Sequence, residues 1–249
     1  MTIPQSDRKD WVLLPWDSEH FGFPVGRILP TTVPDDKLSS LLRSIEGSGI
    51  RCLYWLTEEN DSPLAVAYRE GFEKVDVRVE LEVKLGGAKF LPDPGLIRVA
   101  EDSDLSQLRT LAACSHRNTR FYTGAFPRAR ADALYSAWID RSFHDPSERV
   151  LVSGPVGAPY GYIAFGVSES GNGSIGLVAV DESRRGRGVG SALVSAALSD
   201  LRLQETKHVT VVTQGTNRPA LDLYRDFGFS VRTRSVWLHR WFGVSSPWT

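Results

Sequence analysis

The chain has 249 residues, which allows one large domain or two small ones. Its 29 lysines and arginines and 30 aspartates and glutamates leave a net charge of −1. That balance argues against a general nucleic-acid-binding protein, because such proteins carry a marked basic excess. No apolar run approaches the ~20 residues that cross a bilayer, and the first residues lack the apolar core of a signal peptide. We therefore expect a cytoplasmic protein that binds neither nucleic acid nor membrane.

The two cysteines, Cys52 and Cys114, lie far apart in apolar segments and form no CxxC or Cys/His pattern. The five histidines are scattered, and none belongs to an HExxH motif. Zinc sites usually show such spacings. We expect no bound metal, and we expect both cysteines to be buried free thiols in a reducing compartment.

The first region of the chain has the pattern of an α/β domain. Residues 51–57 are rich in β-forming side chains, and residues 62–72 read as a helix that ends at its glycine. Residues 74–85 alternate, so that valines and leucines fall on one face and charged residues, including Asp76, on the other. This alternation predicts a strand with one buried face.

Two glycines and two prolines interrupt the periodic pattern within residues 85–96. We predict an N-terminal domain of residues 1–88, a linker of residues 89–96 and a second domain of residues 97–249. In chain order, the second domain is predicted to contain one strand, two helices, three strands, and then a helix, a strand, a helix and a strand. The predicted elements are a strand at 97–100, helices within 101–113 and 129–143, strands at 149–154, 160–168 and 174–181, a helix at 191–203, a strand at 208–214, a helix at 218–227 and a strand at 230–242.

An internal similarity joins the two regions. Residues 62–83 line up with residues 218–240, which form a stretch one residue longer. Each stretch has an early proline, then a tyrosine, then glycine-phenylalanine, then an alternating strand. Although this order is common in α/β proteins, it favours a duplication in which the first copy lacks a glycine-rich loop.

A GxGxxG string spans Gly171 to Gly176, but its setting does not suit a dinucleotide site. That fingerprint requires a strand before it and a helix after it. Here Asn172-Gly173 lies between two strand-like runs, which is the signal of a hairpin turn. We therefore predict a turn at this position.

The stretch "RRGRGVGSALV", residues 184–194, lies between a predicted strand and a predicted helix. Its glycines allow successive backbone N–H groups to converge on an anion, and the N-terminus of the helix adds partial positive charge. Arg184, Arg185 and Arg187 add full charges. Because no GK[ST] follows, we expect a phosphate site that is not of the Walker type.

Residues 185–190 resemble the R/Q-x-x-G-x-G/A signature of the GNAT superfamily of N-acetyltransferases, and "NRPALDLYRDFGF" resembles its second signature. The resemblance covers about residues 97–242, with Glu182 in place of a common proline. It implies an α/β (α+β) GNAT fold, with a mixed central sheet flanked by helices and preceded by a smaller degenerate GNAT-like domain. It also implies acetyl-CoA as co-substrate and no metal.

By this resemblance the pantetheine arm lies along a splayed strand, the pyrophosphate lies on the glycine loop, and Tyr224 protonates the departing thiolate. A core aromatic is the alternative role for Tyr224. The cofactor-binding residues that the resemblance implies are Leu177, Val178, Ala179, Val180, Arg185, Gly186, Arg187, Gly188, Val189, Gly190, Ser191, Asn217 and Tyr224.

Three further segments, residues 14–28, 115–127 and 236–242, are similar to segments of the TDP-fucosamine acetyltransferases. This similarity implies an acceptor amine on a nucleotide-linked amino sugar of the TDP-4-amino-4,6-dideoxyhexose type. Arg120, Phe121 and Tyr122 are candidate substrate-binding residues because they combine charge and aromatic surface on a loop. Asp76 is a candidate base for the amine proton, and a solvent-exposed charge at the sheet edge is its alternative.

Three other functions remain open at this point. The acceptor could be an aminoglycoside or a polyamine, although the arginine-aromatic loop favours an anionic acceptor. A protein substrate is another alternative. The chain could also be a non-catalytic acyl-CoA-sensing module. The sequence leaves a homodimer open as well.

Overall fold

The computed structural model describes residues 10–91, 97–117 and 119–243. The chain divides into two compact units. The first unit takes Met1–Arg78, Thr119–Arg130 and Arg234–Thr249, and the second takes Val79–Asn118 and Ala131–Thr233.

Each unit is made of several chain segments, whereas the sequence predicted contiguous domains. The first unit includes Thr119–Arg130 and Arg234–Thr249 in addition to its N-terminal segment. Residues 79–91 belong to the second unit, although the sequence placed residues 79–88 in the N-terminal domain and residues 89–91 in the linker. Residues 92–96 of that linker lie outside the described residues. The domain boundaries 1–88, 89–96 and 97–249 therefore stay a prediction.

The described residues contain ten strands and seven α-helices. The strands are β1 (Trp11–Leu13), β2 (Val25–Ile28), β3 (Cys52–Glu58), β4 (Glu73–Lys84), β5 (Ile97–Val99), β6 (Glu148–Ser153), β7 (Gly161–Val167), β8 (Gly173–Val180), β9 (His208–Gln214) and β10 (Ser230–Trp241). The helices are α1 (Pro15–Phe21), α2 (Asp35–Gly47), α3 (Asp61–Arg69), α4 (Leu105–Ser115), α5 (Arg128–His144), α6 (Val189–Leu203) and α7 (Arg218–Asp226).

The first unit is built on the strand order β1-β2-β3-β10. Strands β2 and β3 are parallel, whereas β1 pairs antiparallel with β2 and β10 antiparallel with β3. One face of this sheet packs against α2 and α3 through a cluster of buried apolar side chains. Trp55 lies fully buried in that cluster, and its indole Nε1 donates a hydrogen bond to the carbonyl of Pro30 at 2.8 Å.

The second unit follows the strand order β4-β9-β8-β7-β6-β5. Strands β5 to β8 are joined antiparallel, and β8 pairs parallel with β9. The helix predicted at 191–203 is confirmed as part of α6, and Leu193, Ala197 and Leu201 form a fully buried stripe along it. The predicted hairpin is confirmed as well, since Gly171 and Asn172 lie in the turn that joins β7 to β8, and the rest of the GxGxxG string begins β8.

The two similar stretches form helix–strand pairs of equal size. Helices α3 and α7 each have nine residues, and strands β4 and β10 each have twelve. Each helix is followed, two residues after its last residue, by a glycine with positive φ, Gly71 for α3 and Gly228 for α7. Aligning these glycines places Ala67 at the position of Tyr224, since the N–H of Phe72 bonds to Ala67 as that of Phe229 bonds to Tyr224. A duplication remains a proposal, but the first copy has no tyrosine at this position.

Two expectations about isolated side chains are settled by burial. Cys52 is buried, and its burial raises the pKa of the thiol. Cys114 is exposed, so the prediction that both thiols are buried was wrong for this residue, which lies on the outer face of α4. No helix among the described residues is long and apolar enough to span a bilayer.

A buried carboxylate in the second unit binds β5 and the two loops beside it. Asp104 is fully buried and accepts two hydrogen bonds from the guanidinium of Arg98, at 2.7 and 2.8 Å. It also accepts the backbone N–H groups of Glu101 and Gly157. The hydrogen bonds from Arg98, followed by those of the two amides, lower the pKa of Asp104 from 3.8 to about 2 against the opposing effect of burial.

We expect Asp104→Asn to lower the free energy of unfolding at pH 7 by about 2 kcal/mol, because hydrogen bonds to a charged group are lost. The folded-state pKa is below the unfolded value, so the wild-type contribution is present above pH 4 and disappears as the pH falls towards 2. Urea unfolding of both proteins between pH 7 and pH 2.5 measures this. Parallel stability curves over that range would contradict the assignment.

Candidate active site

Strand β8 parts from β9 in the middle of its length. Its parallel ladder with β9 covers only Gly173 to Ile175, whereas its antiparallel ladder with β7 continues to Val180. The β7 register skips Gly176, since Ala164 faces Leu177 and Phe165 faces Ile175. This extra residue is a β-bulge, which bends a strand. Beyond Ile175, the edge of β8 that had faced β9 is therefore free of a strand ladder within the described residues.

The predicted pantetheine-binding residues all lie on this free edge. Leu177 and Ala179 are buried, and Val178 and Val180 are half-buried. Their side chains are therefore committed to packing. What the edge offers to a ligand is its backbone N–H and carbonyl groups, which an extended molecule can use as a neighbouring strand does.

The glycine loop follows directly after β8. Gly186 and Gly188 have φ of 71° and 79°, a conformation that favours glycine, and a Cβ on either would meet no atom within 4 Å. Glycine is therefore needed here for backbone conformation, and the space above the loop stays open. Helix α6 starts at Val189, and the N–H groups of Val189, Gly190 and Ser191 lie in its first turn, where helix geometry gives them no intrahelical acceptor.

The three arginines of the loop are all exposed, but they are not equivalent. The Nε of Arg185 donates to the carbonyl of Val180 at 3.1 Å, which ties the loop to the end of β8. The guanidinium of Arg184 lies over the ring of Tyr160 at 5.1 Å. One donor of Arg185 is therefore used by the protein itself, and Arg187 adds a solvent-exposed charge.

The first turn of α6 is seated on Gly161 at the start of β7. A Cβ on Gly161 would lie 3.0 Å from Val189 Cγ1 and 3.2 Å from the carbonyl of Ala179. Such contacts are tighter than ordinary van der Waals packing. Because Gly161 has no side chain, Val189 in the first turn of α6 can pack closely against β7 and the neighbouring β8.

Tyr224 and Asn217 both lie on α7 or at its start. Tyr224 is 4% exposed, and its ring centroid is 5.5 Å from that of Phe229. Burial raises the pKa of its phenol, so the group stays protonated at neutral pH. Asn217 caps α7, accepting the N–H of Ala220 at 3.3 Å and donating to Thr213 at 3.1 Å. The side chain of Asn217 is thus engaged in holding the helix to β9.

His116 is a buried polar group of the second unit that the sequence reasoning did not single out. Its ring stacks on Tyr135 at 4.4 Å, and its Nε2 is buried with no hydrogen-bond partner. Burial, aided by the charge of Arg185, lowers the pKa of His116 to about 4, so the imidazole is neutral at pH 7. No sequence motif identifies His116, because only the folded chain brings it close enough to Arg185 for that charge to affect its pKa.

The remaining predicted residues lie in the first unit. Arg120 is half-buried, and its guanidinium carbon is 4.3 Å from the Tyr54 ring and 4.2 Å from the rings of Phe121 and Trp237. Phe121 is only 3% exposed and leaves little surface for a ligand. Tyr122 is half-buried beneath the guanidinium of Arg128.

Asp76 is half-buried on β4, so the expectation of a fully solvated edge charge does not describe it. One carboxylate oxygen accepts the N–H of Val77 at 2.7 Å. Burial raises the pKa of Asp76 from 3.8 to about 6, against smaller opposing effects from Val77 and Arg120. A carboxyl with this pKa can exchange a proton near neutral pH.

A strand with one free edge, running into a glycine loop and a helix N-terminus, is the arrangement that the resemblance to the GNAT superfamily implies for the second unit. Residues 111–229 match the family described as "Acetyltransferase (GNAT) family". These residues form a GNAT domain.

Two curated relatives match most of the chain. The dTDP-fucosamine acetyltransferase of Escherichia coli O6:H1 is 25% identical over 187 residues, 74% of this chain and 79% of the relative. The mycothiol acetyltransferase of Acidothermus cellulolyticus is 28% identical over 198 residues, 73% of this chain but only 60% of the relative. A solved GCN5-related N-acetyltransferase from Sphaerobacter thermophilus shares the fold, with a TM-score of 0.62 at 16% identity over 94% of this chain and 78% of that one.

We expect Gly161→Ala to raise the KM for acetyl-CoA, because the added Cβ displaces Val189 and with it the first turn of α6. Overpacking on the order of 1 kcal/mol corresponds to about fivefold in affinity. Gly86→Ala is the matched control, since a Cβ there meets no atom within 4 Å. Equal KM values for the two variants would show that the seat of α6 does not control the loop.

Proposed function

We propose that this protein transfers the acetyl group of acetyl-CoA to the amine of a nucleotide-linked amino sugar of the TDP-4-amino-4,6-dideoxyhexose type. The observation that carries the proposal is the free edge of β8, which leads into the glycine loop. GNAT enzymes generally use acetyl-CoA. The acceptor half is supported by the similarity to the dTDP-fucosamine acetyltransferase.

The residues of the second unit fit acetyl-CoA in shape and in donor chemistry. The backbone of Leu177–Val180 would hold the extended pantetheine arm, because its polar groups on one side have no strand partner. The N–H groups of residues 186–191 would hold the pyrophosphate, with Arg185 and Arg187 at the rim. Bound there, acetyl-CoA supplies an activated thioester. Asn217 would act by fixing the start of α7.

Tyr224 is proposed as the acid that gives its proton to the departing thiolate. A buried phenol with a raised pKa is loaded with its proton at every working pH. The same burial disfavours a free thiolate and so raises the proton affinity of the sulfur. The proton transfer is therefore assisted by the environment that keeps Tyr224 neutral.

Asp76 is proposed to accept the proton that the acceptor amine loses as the new C–N bond forms. Its pKa of about 6 leaves it mostly ionised at pH 7 while keeping it basic enough to act. Arg120, in the same unit, is proposed to bind an anionic part of the acceptor. Phe121 and Tyr122 would act by packing around Arg120 and Arg128, since their rings are largely covered.

A second acceptor is favoured by one observation, the 28% identity to a mycothiol acetyltransferase. The acceptor of that enzyme is therefore included beside the nucleotide sugars in the test. Aminoglycosides and polyamines complete the panel as cationic acceptors.

The first experiment measures free thiol released from acetyl-CoA with each amine. We expect release with a TDP-4-amino sugar, and a fall in kcat of about a hundredfold in Tyr224→Phe, because a positioned acid is removed. Tyr68→Phe is the matched control, since Tyr68 is an exposed tyrosine of α3. Release only with other amines would refute the sugar acceptor, and full activity of Tyr224→Phe would refute the acid.

The base is tested by the pH dependence of kcat/KM. We expect the wild-type value to fall as the pH drops through about 6, because Asp76 takes up a proton there and can no longer accept one. Asp76→Asn should lose about a hundredfold in rate and also lose this limb of the profile. Asp36→Asn, an exposed carboxyl of α2, serves as control. An unchanged profile in Asp76→Asn would remove it from the mechanism.

A further inference from the structure

The sheet of the first unit has one apolar face and one face with a polar row across its centre. Arg27 on β2 is in register with Tyr54 on β3, and Tyr54 is in register with His239 on β10. Residues in register on neighbouring strands share a face. Leu53 and Trp55 alternate with Tyr54 and point into the core beneath α2 and α3. The row Arg27–Tyr54–His239 therefore lies on the opposite face of the sheet.

Arg120 lies on this polar row. Its guanidinium covers the ring of Tyr54 at 4.3 Å and that of Trp237 at 4.2 Å. Its Nη1 is 2.9 Å from Nε2 of His239. The guanidinium of Arg27 lies over the same Trp237 ring at 5.3 Å, so one indole orients two positive charges.

The proton positions in this row follow from the chemistry of its partners. An arginine N–H can only donate, so Nε2 of His239 accepts and the ring proton is on Nδ1. Burial and the charge of Arg120 hold the pKa of His239 well below its usual range, which keeps the ring neutral. The Nδ1 atom is buried and has no hydrogen-bond partner. His239 therefore presents a buried N–H donor without an acceptor.

One further group of the row is in the same condition, because Nε of Arg27 is buried and makes no hydrogen bond. The hydroxyl of Tyr54 is also buried, and both the Asp17 carboxyl and the Arg120 guanidinium interact with it. Buried donors without acceptors are rare in folded proteins, because each one forfeits the hydrogen bond it made to water. Two such donors, on either side of Tyr54 in the row, indicate that something outside the chain supplies the acceptors.

The electrostatics of the row favour an anion. The pKa of Arg27 is lowered first by burial and then by the charges of Arg120 and Arg78, so three guanidiniums act on one another. Neither Arg27 nor Arg120 forms an ion pair within the described residues. The carboxyls of Asp17 and Asp76 also interact with Arg120, and burial raises the pKa of both against that effect.

We propose that Arg27, Tyr54 and His239, together with Arg120, form a phosphate-binding site that holds the diphosphate of the acceptor. Phosphate oxygens accept hydrogen bonds and carry full charge, which matches a set of donors and guanidiniums. This assignment to the acceptor rests on the proposed function. The binding of phosphate groups by the row does not depend on it.

The test is calorimetric titration of the full chain with inorganic pyrophosphate and, separately, with TDP. Both titrations contain saturating CoA, so that the glycine loop cannot take the probe. We expect binding of one or both probes, and a loss of at least about tenfold in affinity for Arg27→Gln, because a charged hydrogen-bond donor is removed. Arg43→Gln, an exposed arginine of α2, should bind as the wild type does.

Tyr54→Phe separates ligand binding from a structural role. The variant removes only the hydroxyl, which interacts with Asp17 and Arg120 in the free protein. The affinity for the probe should fall by about tenfold. A lower melting temperature with unchanged affinity would assign the hydroxyl to the fold and overturn its part in the site.

The outcomes separate this site from the proposed function. Arg27-dependent binding of TDP or pyrophosphate, without acetylation of any TDP-amino sugar, would keep the phosphate site and refute the acceptor. Acetylation of a TDP-amino sugar with the same KM in Arg27→Gln would keep the function and overturn the site. Tight binding of pyrophosphate alone would identify the site as one for free phosphates rather than nucleotides.

Discussion

The separation of β8 from β9 after Ile175 is the constraint around which the second unit is arranged. One extra residue at Gly176 lets β8 keep its ladder with β7 while it leaves β9. The backbone beyond that point is unpaired on one side, which a folded protein tolerates only where a ligand or solvent can bind. The glycine loop and the N-terminus of α6 then follow at the end of the same strand. One irregularity in a ladder thus creates an extended free edge that ends at a turn with free backbone N–H groups.

The second unit also shows why its glycines are not interchangeable. Gly186 and Gly188 are needed because their backbone φ values are positive, and the space around them is open. Gly161 is needed for the opposite reason, since its neighbours leave no room for a side chain. Gly186 and Gly188 determine the conformation of the loop. Gly161 determines how closely the first turn of α6, which follows the loop, packs against β7.

The sheet of the first unit has two chemically different faces. One face forms an ordinary apolar core with α2 and α3, whereas the other buries a row in which two donors have no acceptor from the chain. Such a row lowers the stability of the free protein, because buried donors without acceptors lose their hydrogen bonds to water. The first of the two helix–strand pairs has Ala67 where the second has Tyr224.

The sequence by itself determined the features that depend on local pattern. Alternation in residues 74–85 predicted a strand, and the glycine loop could be recognised because its residues are contiguous. Tertiary structure alone decided which side chains are free to act. It buried Phe121, engaged Asn217 in a helix cap, exposed Cys114 and brought His116 under the influence of Arg185. The row Arg27–Tyr54–His239 has no sequence signature, because its members lie on three strands that only the sheet register brings together.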